Sequence, residues 1–136
     1  MSEQSDARAP LSVLVPVKNE AANLRDCLAS ISFAEDIVVV DSDSTDGTQS
    51  IAESAGARVV QFAWNGKLPR KKNWALENVS WHHEWLLIID ADERITPELE
   101  HEIREAIYRT DVDGFYLNRR FWFLDDWINH CGYFPS

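Results

Sequence analysis

Leu11-Ser12-Val13-Leu14-Val15-Pro16-Val17 is a short apolar run that stops abruptly on Lys18-Asn19-Glu20. A run of this kind suits a strand buried on both faces of a parallel sheet. From Glu20 to Ile31 the apolar residues fall at Leu24, Cys27, Leu28 and Ile31, which is helical spacing, and Glu20 sits favourably at the N-terminal end. The reading is therefore strand then helix, with a polar cluster at the joint.

Working outward, the unit repeats. Ile37 to Val40 is a fully apolar strand, Asp41-Ser-Asp-Ser-Thr-Asp-Gly-Thr48 is turn-rich, and Thr45 to Ala55 reads as a helix ended by Gly56. Arg58 to Trp64 reads as a third strand. Asn65, Gly66 and Pro69 then break the chain, and Lys71 to Val79 reads as a helix. Trp85 to Ile89 is a fourth apolar strand running into Asp90-Ala91-Asp92-Glu93. Pro97 opens a helix to Tyr108 with Thr96 as N-cap, and Gly114 to Phe123 alternates as one last strand. Strand-helix alternation predicts an α/β fold: a three-layer α/β/α sandwich with a mostly parallel sheet and right-handed crossovers. Ligands in such sheets bind beyond the carboxyl ends of the strands, where strand order reverses. The clusters 18–20, 41–48 and 90–93 all follow strand ends and should converge on one edge.

Bulk properties narrow the function. The length of 136 residues suits one domain, expected over residues 11–136 behind a polar, disordered leader at 1–10. Thirteen Lys and Arg against twenty-three Asp and Glu leave a formal charge of -10. That argues against nucleic-acid binding, which draws its affinity from neutralised phosphates. One nucleotide can still be held if a divalent cation stands between carboxylates and phosphates. Cys27 and Cys131 match no C-x-x-C spacing, so a reduced compartment is expected. The leader is no signal peptide, and no stretch approaches a transmembrane span. The expected location is the cytoplasm, with membrane contact only peripheral.

Three clusters carry the chemistry. Asp90 and Asp92, one residue apart at a strand end, can address the same opening, which suits a hard divalent cation that also takes phosphate oxygens and water. Asp41 at the tip of its strand could accept a hydrogen bond from a base N–H, while Asp46 and Gly47 shape the turn and cap the next helix. A calcium-loop reading of 41–48 fails, because aligning Gly47 with that loop's glycine puts Ser42 at the first ligand position and a strand, not a helix, precedes it. Lys18-Asn19-Glu20 is the third cluster.

PVKNE (16–20), VVVDSDSTDGT (38–48), GKLPRKKNWAL (66–76) and LLIIDADE (86–93), in that order and spacing, resemble the N-terminal part of family 2 glycosyltransferases with the A-type fold. KNWALE, DADERITPEL and FLDDWINHCGYFP are similar to the branch that includes lipopolysaccharide core glycosyltransferases. The resemblance covers nearly all of the chain from Leu11. It implies a Rossmann-like nucleotide-diphospho-sugar transferase fold and inverting transfer of a sugar from a nucleotide-diphosphate donor, UDP before others. The acceptor it implies is a saccharide, free or lipid-linked, such as a lipopolysaccharide core sugar. By the same resemblance, Pro16, Lys18 and Glu20 line the nucleotide pocket and Asp41 recognises the base. Lys72 and Asn73 stand near the donor, Asp90 near the ribose, and Asp92 ligates Mg²⁺ or Mn²⁺ on the diphosphate. Ser42 departs from the pattern, since many members carry a second acid there.

Inversion also needs a base for the acceptor hydroxyl. In this family it lies well downstream of D-x-D, so the chain is expected to lack its acceptor part and the base with it. Asp125 and Asp126 read as a solvated turn, and no catalytic base is assigned. Trp74, Trp81 and Trp85 read as core; Trp122 and Trp127 fall in an acceptor-side segment, and the four histidines read as surface residues. The rival readings are a shortened nucleotide-sugar-binding module without transfer, and a nucleotidyltransferase. The latter would be expected to carry a glycine- and Arg-rich first loop, and PVKNE has no glycine.

Overall fold

The computed structural model describes residues 7–63, 71–108, 114–116 and 120–123. In chain order the elements are β1 (Ala9–Val17), α1 (Ala21–Ser30), β2 (Ala34–Asp41), α2 (Thr48–Ser54), β3 (Arg58–Gln61), α3 (Lys71–Asn78), β4 (Trp85–Ile88), α4 (Pro97–Ala106), β5 (Gly114–Tyr116) and β6 (Arg120–Phe123). They build a six-stranded sheet in the order β3-β2-β1-β4-β6-β5. The first four of these strands are parallel to one another, and β6 and β5 close the other side antiparallel.

The apolar runs are explained by helices on both faces. Val13, Val15, Val17, Val39, Leu87 and Ile89 pack in one core with Leu24, Cys27 and Leu28 of α1, Ala52 of α2 and Ile103 of α4. Leu14, Val38, Val40, Leu86 and Ile88 pack in a second core with Ala75 and Leu76 of α3. Alternate residues of one strand thus feed opposite cores, as the period of two demands. Thr96 caps α4 as expected, its Oγ1 accepting from Leu99 N at 3.1 Å. Among the described residues no helix is long and apolar enough to cross a membrane.

Several boundaries differ from expectation: β2 begins at Ala34, not Ile37, and β3 ends at Gln61, not Trp64. β1 begins at Ala9, inside the segment expected to be leader, because Ala9 N donates to Phe33 O (2.6 Å) and its side chain is buried. α2 begins at Thr48, not Thr45, since residues 42–47 are committed to a loop that binds the first one. The alternating stretch 114–123 is two antiparallel strands, with Phe115 opposite Phe121, instead of one; alternation reports a strand's face and says nothing about where it folds back.

The chain leaves β1 toward β2 and β3, and then returns to place β4 on the other side of β1. Strand order therefore reverses between β1 and β4, and the crevice beyond their carboxyl ends is where such sheets bind ligands.

Candidate functional site

Pro16 stands at the mouth of that crevice. Pairing of β1 with β4 ends at Leu14, whose carbonyl accepts from Ile89 N (3.1 Å). Two residues on, Pro16 faces the same side, beyond the end of β4, so its missing N–H forfeits no ladder bond. On the other side Val17 O accepts from Ser42 N (3.3 Å) and from Lys71 Nζ (2.6 Å), joining the ends of β1, β2 and α3.

The first two polar clusters are stitched to each other. Asn19, in the left-handed region at φ 53, receives Thr45 N on its Oδ1 and donates its own amide to Ser44 Oγ, each at 2.8 Å. Glu20 N donates to Thr48 Oγ1 (3.0 Å), and Ala21 N, at the start of α1, donates to Asp46 Oδ2 (3.1 Å). Lys18 Nζ donates to Ser42 O (2.8 Å). Asp46 also accepts from the amide and hydroxyl of Thr48, the first residue of α2, which holds the Asp46 carboxyl below its usual range. One carboxylate thus serves the starts of two helices.

Asp41 is fully buried. Its carboxylate accepts from the amide and hydroxyl of Ser44 and from Gln61 Nε2 (2.9 Å). Burial pushes its pKa up, but these hydrogen bonds and the nearby Lys71 charge outweigh it, and the net direction is down. In this conformation Asp41 presents no solvent-facing oxygen, and its hydrogen bonds brace the loop. Its neighbour Asp43, at φ 50, is exposed. Lys71 is half-buried; burial lowers its pKa, Asp41 pulls it back up, and Lys18 adds to the lowering. Lys71 and Gln61 were not singled out from sequence. The Lys71-Lys72 doublet was the available signal, and Lys71 reaches β1 only through the packing of α3.

Asp90 to Ile95 forms a tight turn beyond β4. Glu93 N donates to Asp90 O, and Asp90 N to Glu93 Oε1, both at 2.9 Å. Arg94 Nη1 donates to Ala91 O and Glu93 O, each at 2.8 Å. Ala91 and Ile95 are buried in the core, Asp90 is half-buried and Asp92 is exposed. Cys27 Sγ lies 3.7 Å from Asp90 O. Burial pushes the Cys27 thiol up to about 12, with Arg94 opposing, so it stays a protonated donor.

No cluster of three or more His, Cys, Asp and Glu among the described residues could hold a metal alone. An exposed carboxylate with a half-buried one behind it does fit an ion that completes its shell with phosphate oxygens and water, as Mg²⁺ does. Pro16, Lys18, Glu20 and Asp41 therefore gather at the carboxyl ends of β1 and β2, and Asp90 and Asp92 beyond adjacent β4. Lys72 and Asn73 lie on α3, with their side chains outside the described residues. Asn65, Gly66, Pro69, Asp125, Asp126, Trp127, His130 and Cys131 also lie outside them, and of Trp122 only the backbone pairing in β6 is described.

At the opposite end of the sheet two of the histidines meet carboxylates. His83 Nε2 pairs with Glu35 at 2.8 Å, and His82 stands beside Asp36, partners that their position in a loop did not reveal.

Residues 12–133 match the family model described as glycosyl transferase family 2, and the chain belongs to that family. It is 36% identical over 119 residues to the lipopolysaccharide core biosynthesis glycosyltransferase LpsC of Rhizobium meliloti, an alignment covering 83% of this chain and 43% of LpsC. The chain thus spans less than half the length of that relative. Among solved structures it is similar to the mannosyltransferase PcManGT from Pyrobaculum calidifontis in complex with GDP-Man and Mn²⁺, with a TM-score of 0.68 at 21% identity over 94% of this chain and 48% of that one. It is also similar to glucosyl-3-phosphoglycerate synthase from Mycobacterium tuberculosis in complex with Mn²⁺, UDP and glucosyl-3-phosphoglycerate, with a TM-score of 0.50 at 27% identity over 65% of this chain and 35% of that one. The fold is the glycosyltransferase A-type α/β fold.

Proposed function

We propose that this chain is the donor-binding part of an inverting glycosyltransferase that moves a hexose from a nucleotide-diphosphate donor, UDP-linked in the first instance, to a saccharide acceptor of the lipopolysaccharide-core kind. The observation that carries the reading is the D-x-D turn at the point of strand-order reversal, beside a loop pair already folded around Asp41 and Asp46. The 36%-identical LpsC supports the acceptor class, and the synthase solved with UDP and Mn²⁺ supports the donor.

In this reading the nucleoside lies over the ends of β1 and β2. Pro16, Lys18 and Glu20 line its pocket, Asp90 meets the ribose, and Lys72 and Asn73 border the sugar. Asp41 contributes through the loop it braces, leaving base contact to groups that face the crevice. Lys71, half-buried and anchored on Val17 O, adds positive charge where phosphates approach. Asp92 would hold Mg²⁺ or Mn²⁺, which when bound offsets the charge of the departing diphosphate. The acceptor's proton requires a base that these residues do not include. The reaction belongs in the cytoplasm, and a lipid-linked acceptor would be met at the membrane surface.

The test is calorimetric: UDP titrated with and without Mn²⁺ into this chain and into Asp92→Ala. Mn²⁺-dependent binding lost in the variant supports the donor site. UDP binding that is absent, or indifferent to both metal and substitution, overturns the residue roles.

A further inference from the structure

The D-x-D turn is held from behind by the last turns of α1. Cys27 and Ser30 are three residues apart and so lie on one helix face. Cys27 Sγ donates to Asp90 O (3.7 Å), at the start of the turn. Ser30 Oγ accepts from Ile95 N (3.1 Å), at its end, and is oriented by donating to Cys27 O (2.7 Å). Ala91 between these two points and Ile95 at the second bury in the same core as Cys27, while Asp92 is exposed.

From this bracket we infer that Cys27 and Ser30 are positioning residues for the metal-binding carboxylate: they fix the backbone of residues 90–95 so that Asp92 faces the crevice before any ion arrives. A carboxylate on a loose turn would have to be ordered on binding, and that entropy would be subtracted from the affinity. Here the ordering is built into folding. Ser30 is the cleaner of the two to probe, because its hydroxyl makes both contacts and its removal opens little space, whereas Cys27 is wholly buried.

The inference rests on the proposed donor site, and the experiment separates the two. Ser30→Ala, Ser30→Thr and Asp92→Ala are compared with the parent chain by Mn²⁺-dependent UDP calorimetry, by amide hydrogen exchange, and by thermal unfolding. Losing one net hydrogen bond at the turn should weaken Mn²⁺-dependent binding about fivefold in Ser30→Ala. Exchange at Ile95 should speed up while amides of the β2–β3 ladder hold, and Ser30→Thr, which keeps the hydroxyl, should return both readouts toward the parent. If Asp92→Ala abolishes binding but Ser30→Ala leaves the Mn²⁺ affinity unchanged well below its unfolding midpoint, Ser30 is merely structural and the inference fails alone. If Asp92→Ala changes nothing, the donor-site reading fails and takes the inference with it.

Discussion

Arg58→Ala should destabilise the chain by about 2 kcal/mol without touching the candidate site. Arg58 forks onto the buried Asp36, Nε to Oδ1 and Nη2 to Oδ2 at 3.0 Å each, and Nη2 also donates to Ser80 O at 2.9 Å. Removing one partner of a buried pair costs about 3–5 kcal/mol. The figure is discounted here because the Arg58 side chain is 36% exposed, against 3% for Asp36, and its charge is partly screened. Ser12 Oγ, at 2.8 Å, also stays on the carboxylate. For a domain of this size the loss should lower the thermal midpoint by about 8 °C.

The pH dependence gives a second handle on the same pair. Burial pushes the Asp36 pKa up, but hydrogen bonds from Arg58 and Ser12 and the charges of Arg58 and His82 overcome it, leaving it lowered. A lowered carboxyl contributes stability that is present above the unfolded value of about 3.9 and is lost as pH falls through the folded value. Removing Arg58 takes away the largest interaction that lowers it, so the gap between parent and variant should be widest near neutrality and shrink on acidification. Urea unfolding at several pH values measures this. A gap under about 0.5 kcal/mol at neutral pH, or one that widens in acid, would refute the reasoning. Asp36 lies five residues before Asp41 along β2, about 17 Å from the candidate site, so Mn²⁺-dependent UDP binding should be unchanged.

Two further outcomes follow from the geometry. Gly47 sits at φ +90, and a Cβ placed there would meet nothing within 4 Å, so Gly47→Ala should cost about 1 kcal/mol from backbone strain alone; an unchanged urea midpoint would contradict that. Cys27, buried and with its pKa raised to about 12, should resist iodoacetamide at pH 8 in the folded chain and react once urea unfolds it. Mass spectrometry of the Cys27 peptide reads this directly, and rapid labelling of the folded chain would mean that the thiol is not enclosed.

Much of the architecture was legible because burial on both faces leaves an unmistakable mark. Leu11–Val17, Ile37–Val40 and Trp85–Ile89 are apolar at nearly every position, and each proved to be a central strand feeding two cores. Glu20 and Ile31, read as the limits of the first helix, became its two caps. The division into β5 and β6 is not legible, since nothing in the alternation separates two strands from one. The candidate-site cluster was legible as types of residue at strand ends, but their hydrogen-bond partners were not. Asp41 stands out in the sequence as an acid at a strand tip, whereas its burial and its bonds from Ser44 and Gln61 are visible only in the fold.

By itself, then, the sequence determined the α/β alternation, the parallel core strands and the placing of three polar clusters at their carboxyl ends, because periodicity and local turn chemistry act over a few residues. The tertiary structure alone decided that β4 lies beside β1, which makes the crevice. It also decided that Lys71 reaches Val17, that Asp46 serves α1 as well as α2, and that Cys27 and Ser30 clamp a turn more than sixty residues away in the chain. These contacts join segments remote in sequence, and no local pattern can encode a partner that only folding brings within reach.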